Sequence, residues 1–290
     1  MTHSDAALLH LALPKGRMQE GVLALLREAG IQVHVGSRNY RPSISLDHVE
    51  TKMLKPQNIV EMLHVGSRDI GFAGADWVAE KGAQIEELVD LQLDPVSVVA
   101  AAPTELLESG ALPGRKLVVA SEYETLTRQW IAARGFDDTF VRTYGATEVF
   151  PPEDADCIVD NTATGSTLKA NGLHIVDTVM RSSTRFYASR KAMDTPAKRD
   201  AIEDLILVIQ SVLAARARVM VELNVTSENL QAIVDIMPCM REPTISPLHS
   251  SKGYALKAAV LRETLAGLIP QVKAAGGTDI VVTGISQIVL

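Results

Sequence analysis

The stretch "CIVDNTATGSTLKANGL" (residues 157–173) starts as a short apolar run and meets an aspartate. It then passes through small and hydroxylated residues around one glycine and resumes a helical pattern. A buried strand that ends in a polar turn and restarts as a helix is one βα unit of an α/β fold. The turn leaves two readings open. Serine and threonine in such a place close turns and cap helices with their own hydroxyls. The same residues also suit a phosphate group, which needs N–H and O–H donors at a helix start, and Gly165 would let the backbone come close to it. In that second reading Thr162, Ala163, Thr164, Gly165, Ser166 and Thr167 line the phosphate site, and Asp160 accepts from sugar hydroxyls.

Working outward, strand and helix alternate on both sides of this unit. "KLVVAS" (116–121), a helix at 125–135 and a strand near 139–142 precede it. The first hundred residues carry a strand at 8–13 and a helix with Met18, Val22, Leu25, Leu26 and Ala29 on one face, stopped by Gly30. A helix from 56 to about 65, a strand at 70–73 that turns into a helix at Gly74, and an apolar run at 94–103 follow. This alternation predicts layered α/β structure with a largely parallel sheet, in two tandem halves with a ligand cleft between them. Beyond residue 190 a long helix is expected, with Thr195 as its N-cap and Pro196 at its first position. The tail reads as strand, helix capped by Ser227, two strands around "PTISPL" and "YALKAAV", a helix that Pro270 should kink or split, and the strand "DIVVT". That order is the ferredoxin-like βαββαβ arrangement. The expected division is a first lobe at 1–102 (rejoined by about 190–216), a second lobe at 103–189, and a small domain at 217–290.

Composition narrows the function. The 290 residues are 47% hydrophobic and 22% charged, as in an ordinary globular protein. A net charge of −7 argues against nonspecific attraction to nucleic acid or an anionic membrane, and 4% aromatic content argues against a base-stacking platform. The two cysteines, Cys157 and Cys239, lack metal-ligand spacing and read as small apolar residues of a reducing compartment. There is no basic stretch ahead of the first apolar run and no window of 18 apolar residues, so a cytoplasmic protein is expected.

Further candidates lie outside the opening stretch. Lys15 and Arg17 flank Gly16 just after the first strand, a pair suited to a pyrophosphate clamp or to a solvated basic turn. Arg38 extends that basic lining in the same reading, whereas Arg41, Lys52 and Lys55 read as surface charge. Gly71 and Gly74 suit close backbone contact, Asp76 suits a helix cap, and Glu148 follows a Gly-Ala turn that could aim it into a cleft. No His, Cys, Asp and Glu grouping has zinc spacing, and no histidine pairs with a nucleophile.

Taken together, "LALPKGRMQEGVLALLREAGI", "RDIGFAGADWV", "DNTATGSTLKANGL" and "REPTISPL" resemble, in order and over essentially the whole chain, the long form of ATP phosphoribosyltransferase. The resemblance implies a two-lobed catalytic unit like that of periplasmic binding proteins, plus a C-terminal ferredoxin-like regulatory domain. It implies transfer of phosphoribosyl from phosphoribosyl pyrophosphate to N1 of ATP, the first step of histidine biosynthesis, with Mg²⁺ carried mainly by the substrate phosphates. Residues 162–167 would then hold the ribose 5-phosphate, Asp160 the ribose hydroxyls, and Lys15 and Arg17 the pyrophosphate electrostatically. Gly16, Arg38, Gly71, Gly74 and Glu148 would line the substrate cleft, and no residue would act as acid or base. Histidine is the expected inhibitor, near Asn224 and Thr244, and a homo-oligomer (dimer and hexamer) is expected.

The chain departs from the family at several positions. Asn161, Thr162 and Ala163 stand where an aliphatic pair and then serine or glutamate are common. "LKPQN" (54–58) stands where an arginine-proline-x-aspartate pattern is common. Two other readings stand beside this one: a type I phosphoribosyltransferase for another base, and a non-catalytic two-lobed ligand sensor. The first would carry two adjacent acidic residues where Asp160 and Asn161 stand. The second has no need of Lys15, Gly16 and Arg17.

Overall fold

A computed structural model describes residues 7–36, 40–135, 137–249 and 252–289. The chain forms two compact units, one holding residues to 27 with 31–203, the other 28–30 with 204 onward. In chain order the elements are β1 (Leu9–Pro14), α1 (Met18–Glu28), β2 (Val33–His34), β3 (Ser43–Ile44), β4 (Val49–Leu54), α2 (Pro56–His64), β5 (Ile70–Gly74), α3 (Ala75–Lys81) and β6 (Ile85–Pro103). Next come β7 (Val118–Ser121), α4 (Glu124–Arg134), β8 (Thr139–Arg142), β9 (Cys157–Thr162), α5 (Ser166–Ala170), β10 (Leu173–Ser189), α6 (Arg190–Met193) and α7 (Pro196–Arg216). The rest is β11 (Arg218–Thr226), α8 (Leu230–Ile236), β12 (Thr244–Pro247), β13 (Gly253–Leu261), α9 (Leu265–Ala274) and β14 (Thr278–Gly284).

The first unit is built on an eight-stranded sheet in the order β4-β1-β5-β10-β6-β9-β7-β8. Its ends are parallel: β4-β1-β5 on one side and β9-β7-β8 on the other. Its middle is not. β6 and β10 run antiparallel to each other over almost their full lengths, and each also pairs antiparallel with one end group. The expectation of a largely parallel sheet is therefore corrected: two parallel triples are joined by a long antiparallel ribbon. The ribbon's register slips between Ser182 and Arg185, opposite Gln92 and Asp94, which both have left-handed backbones (φ 55° and 46°). Such bulges bend a strand and strengthen its twist. Thr184 Oγ1 donates to Asp94 Oδ2 across the slip at 3.1 Å.

Most elements follow from local pattern. Val49, Thr51 and Met53 point inward from β4 and Glu50 does not. Ile59, Val60 and Leu63 form the buried face of α2, which starts at Pro56. Thr195 stands directly before Pro196 as expected, its carbonyl accepting from Arg199 N–H at 2.9 Å, while its hydroxyl donates to Lys191 O at 2.9 Å and closes the bend from α6. Other expectations are corrected. α8 begins at Leu230 rather than after a Ser227 cap, and α9 runs through Pro270 without splitting.

The second unit contains the sheet β12-β13-β11-β14, with every pair antiparallel. With helices α8 and α9 between the strands, this is the ferredoxin-like βαββαβ topology expected from the sequence. Val219, Val221, Leu223 and Val225 alternate along β11 onto one face and pack with Ile233 of α8 and Leu268 and Val272 of α9. Among the described residues, no helix is long and apolar enough to cross a membrane.

Candidate functional site

β9 carries the chain from core to cavity within six residues. Cys157, Ile158 and Val159 are fully buried, whereas Asp160, Asn161 and Thr162 are half-buried at the strand's carboxyl end. Burial pushes the Cys157 thiol up to about 12, so it stays a neutral core residue. The turn that follows is closed by its own hydroxyls. Gly165 N–H donates to Thr162 Oγ1 at 2.9 Å, Thr164 Oγ1 donates to Ser166 Oγ at 3.0 Å, and Gly165 O accepts from Lys169 N–H at 3.0 Å. Gly165 holds φ +76°, a left-handed conformation that costs a side-chain-bearing residue about 1–2 kcal/mol. This is the reason for a glycine here, since an added Cβ would meet only Ile175 Cδ1 at 3.7 Å.

A cavity of about 330 Å³ opens over this turn, lined by Arg17, Glu148, Asp160 and residues 161–164 and 166–168. Arg17 comes from the turn between β1 and α1, so the two parallel triples of the sheet both contribute. Glu148 lies on a single 3₁₀ turn, Thr147–Val149, entered through Ala146 in a left-handed conformation (φ 49°). Its neighbour Thr147 is buried and bonds Thr143 through paired hydroxyls at 2.8 Å.

Asp160 is the perturbed group of the cavity. Burial pushes its carboxyl up to about 6, and the nearby charges of Glu122 and Glu148 push the same way. The Asn161 N–H, which donates to Asp160 Oδ1 at 2.7 Å, and the Thr147 hydroxyl work against that rise. A carboxylate held at this cost and open to a cavity is a ready acceptor for ligand hydroxyls.

The other expected residues divide. Lys15 sets its Nζ 3.3 Å from the centre of the Tyr40 ring, a cation–π contact, and does not line the cavity. Gly16 has φ +81° and supplies the tight turn that delivers Arg17. Gly71 is a packing glycine: a Cβ there would lie 2.7 Å from Ile59 Cγ2 and 3.1 Å from Ala12 Cβ. Gly74 is tight for the same kind of reason: a Cβ there would run into the Asp76 carboxylate. Arg38 lies outside the described residues. In the second unit Asn224 donates its amide to Asp279 Oδ2 at 2.9 Å, while Thr244 sits exposed on the edge strand β12.

A buried cluster behind the cavity escaped the sequence reading. Asp76 does not cap α3. Its carboxylate accepts from Ser182 Oγ and from Tyr123 OH, each at 2.7 Å. Tyr123 in turn accepts from Asn161 Nδ2 at 2.9 Å and stacks on Trp77, with ring centres 4.6 Å apart. Burial and the Asp76 charge hold the Tyr123 phenol far above its ordinary range, so it remains a donor. One turn along α3, Glu80 accepts from the N–H groups of Thr125 and Leu126 at 3.1 Å and so caps α4. The sequence signal existed only as spacing: positions 76, 77 and 80 share one helical face. Among the described residues, no group of three or more His, Cys, Asp or Glu could hold a metal ion.

The family model described as HisG, ATP phosphoribosyltransferase, matches residues 55–211, and that of the HisG C-terminal domain matches residues 215–287. The ATP phosphoribosyltransferase of Chlorobium luteolum is 35% identical over 296 residues, covering 100% of both chains. That of Pelotomaculum thermopropionicum is 34% identical, covering 97% of this chain and 99% of its own. Among solved structures, a chain of the ATP phosphoribosyl transferase (HisG:HisZ) complex from Thermotoga maritima aligns with TM-score 0.62 and 26% identity. That alignment covers 70% of this chain and 97% of the other.

Proposed function

The chain belongs to the ATP phosphoribosyltransferase family, in its long form, and from that membership we propose how its residues divide the work of the reaction. The enzyme moves the phosphoribosyl group of phosphoribosyl pyrophosphate to N1 of ATP, releases pyrophosphate, and so opens histidine biosynthesis. The observation that carries the site assignment is the single cavity that joins Arg17 to Asp160 and the hydroxyl-rich turn. A ribose with phosphate groups at both ends needs such a site: donors at one end, a cation at the other, and an acceptor between.

In this assignment residues 162–167 hold the 5-phosphate through backbone N–H groups and hydroxyls, with the backbone serving at Ala163. Asp160 accepts from the ribose hydroxyls. Arg17 stabilises the negative charge that builds on the departing pyrophosphate, and Lys15 adds long-range field from its place over Tyr40. Adenine N1 has a free lone pair, so its attack on C1 requires no base. The N1–C1 bond forms as the C1–oxygen bond to pyrophosphate breaks, and the electron pair of that bond leaves with the pyrophosphate. Catalysis is then positioning plus electrostatic stabilisation. Mg²⁺ enters as part of the substrate, on phosphate oxygens, where it would neutralise leaving-group charge. The lone Asp160 and Glu148 carboxylates of the cavity suit that arrangement better than a resident metal.

We also propose that the reacting cleft lies between lobes at 1–102 and 103–189, with 217–290 as the regulatory domain. There Asp279, held against Asn224, supplies the acidic partner for the ammonium group of an inhibitory histidine. Incubation with ATP, phosphoribosyl pyrophosphate and Mg²⁺, followed by mass spectrometry for phosphoribosyl-ATP and pyrophosphate, tests the reaction. Full activity in Asp160→Asn would overturn the site assignment.

A further inference from the structure

We propose that Asp76, Ser182 and Tyr123 form a positioning relay that fixes Asn161, and through it the Asp160 carboxylate, at the orientation the ribose requires. The inference rests on the assignment of Asp160 to the ribose.

The relay begins with an unusual group. Asp76 is 3% exposed, and its partners are two hydroxyls rather than a cation. A carboxylate in that setting is costly to bury. Packing does not require it, since apolar side chains fill such space at no such cost. What a buried carboxylate supplies is direction, because an ionised carboxylate can only accept hydrogen bonds. Tyr123 must therefore give its one proton to Asp76, which leaves the phenol oxygen to accept. Asn161 must then turn its Nδ2 toward Tyr123, and that amide also lies 3.4 Å from Asp160 Oδ1. With the Asn161 backbone N–H on the same oxygen at 2.7 Å, both donors of one residue face one carboxylate oxygen. The polarity of the whole chain is set by its buried end.

The members come from three elements and a loop: Asp76 from α3, Ser182 from β10, Asn161 from β9, and Tyr123 from just ahead of α4. The Tyr123 ring is fully buried and stacked on Trp77. Its hydroxyl therefore has little freedom to seek another partner. None of these three supporting residues lines the cavity, so their effect reaches substrate only through Asn161 and Asp160.

The test uses Tyr123→Phe, which keeps the ring and removes one hydroxyl. The expected result is a loss of about fivefold or more in kcat/KM for phosphoribosyl pyrophosphate, with KM for ATP changed less than about twofold. The acid limb of kcat/KM should also move up by about half a pH unit, because a loosened Asn161 donates less well to Asp160. Glu122, Glu148, Thr147 and Arg17 also face or neighbour that carboxyl, and the variant leaves them unchanged. A double-mutant cycle with Asn161→Leu should be strongly non-additive, since both changes cut the same link. Should Tyr123→Phe not fold, Ser182→Ala trims the opposite end and is expected to shift the same parameters in the same direction. Unchanged kinetics for phosphoribosyl pyrophosphate in a folded variant, additive effects, or equal rises in both KM values with an unmoved acid limb would overturn the relay. Asp160→Asn separates the two levels. If it leaves these kinetics intact, the ribose assignment falls; if it impairs them while Tyr123→Phe does not, the relay alone fails.

Discussion

Asp160→Asn should make the protein more stable and the enzyme worse, and the size of the gain follows from the carboxyl's surroundings. In the folded chain burial and two neighbouring glutamates hold this group at about 6, against an ordinary value of 3.8. Between those values the native state binds more protons than the unfolded state, so stability falls as pH rises from 4 to 6. Above pH 7 the ionised carboxylate costs about 3 kcal/mol, and roughly half of that remains at pH 5. An asparagine avoids the charge but keeps an oxygen for the Asn161 N–H, so about 1–3 kcal/mol of the cost should be recovered at pH 7.5. Urea unfolding of wild type and variant at pH 7.5 and pH 5 checks this, with the advantage of the variant shrinking by about half at the lower pH. Activity with phosphoribosyl pyrophosphate should fall at least about tenfold at pH 7.5 and by less at pH 5, where the wild-type carboxyl is itself largely neutral. The reasoning is refuted if the variant is less stable at pH 7.5, or if the stability difference does not depend on pH.

Gly71→Ala should destabilise by about 1–3 kcal/mol, because the new methyl would press on Ile59 and Ala12, while KM for either substrate stays unchanged; thermal unfolding beside steady-state kinetics decides this, and a selective KM effect would restore a ligand role. Arg17→Ala should cost at least about tenfold in kcat/KM, near 1.4 kcal/mol, and Lys15→Ala clearly less, because only Arg17 lines the cavity. Equal losses would mean that field rather than contact governs the leaving group. Asp279→Asn should weaken inhibition by histidine without changing turnover in its absence, as read from inhibition curves; a curve superimposable on wild type would remove Asp279 from the effector site.

The short elements were legible in the sequence because each carries its own punctuation. Ile70 to Gly74 is a run of small and apolar residues, and Thr139–Arg142 is bracketed by polar turns; both are strands, the second with the expected ends and the first one residue longer than expected, through Gly74. The long ribbon was not legible. β10 reads "LHIVDTVMRSSTRFYAS", with polar residues at many positions, because half of its length faces solvent while the rest crosses the sheet. β6 was visible only from Asp94, where it becomes apolar, although it begins at Ile85. The expectation of a largely parallel sheet fails for the same reason: between the two parallel groups lie β10, which shows no apolar run, and β6, which shows only its second half. In the site, residue type pointed to the turn and to Arg17, which share a cavity. The same reasoning could not tell a glycine that meets ligand from one that meets Ile59, since both demands erase a side chain.

On the proposed site assignment, the two readings of the turn at 162–167 are successive rather than competing. Gly165 N–H donates to Thr162 Oγ1 at 2.9 Å, and Ser166 N–H reaches Thr164 Oγ1 at a long 3.4 Å. These are neutral, local and partly exposed bonds, each contributing about 1 kcal/mol net, whereas a bond to a charged oxygen contributes about 1.5–3. A phosphate oxygen arriving over the turn can therefore take these N–H groups from their hydroxyl partners with a net gain. The released hydroxyls then become donors to the same phosphate, so each exchange yields two contacts. The turn need not rearrange for this, because Gly165 already holds the left-handed backbone. On that assignment, the hydroxyl residues that close the turn keep its donors aligned for the phosphate that replaces them.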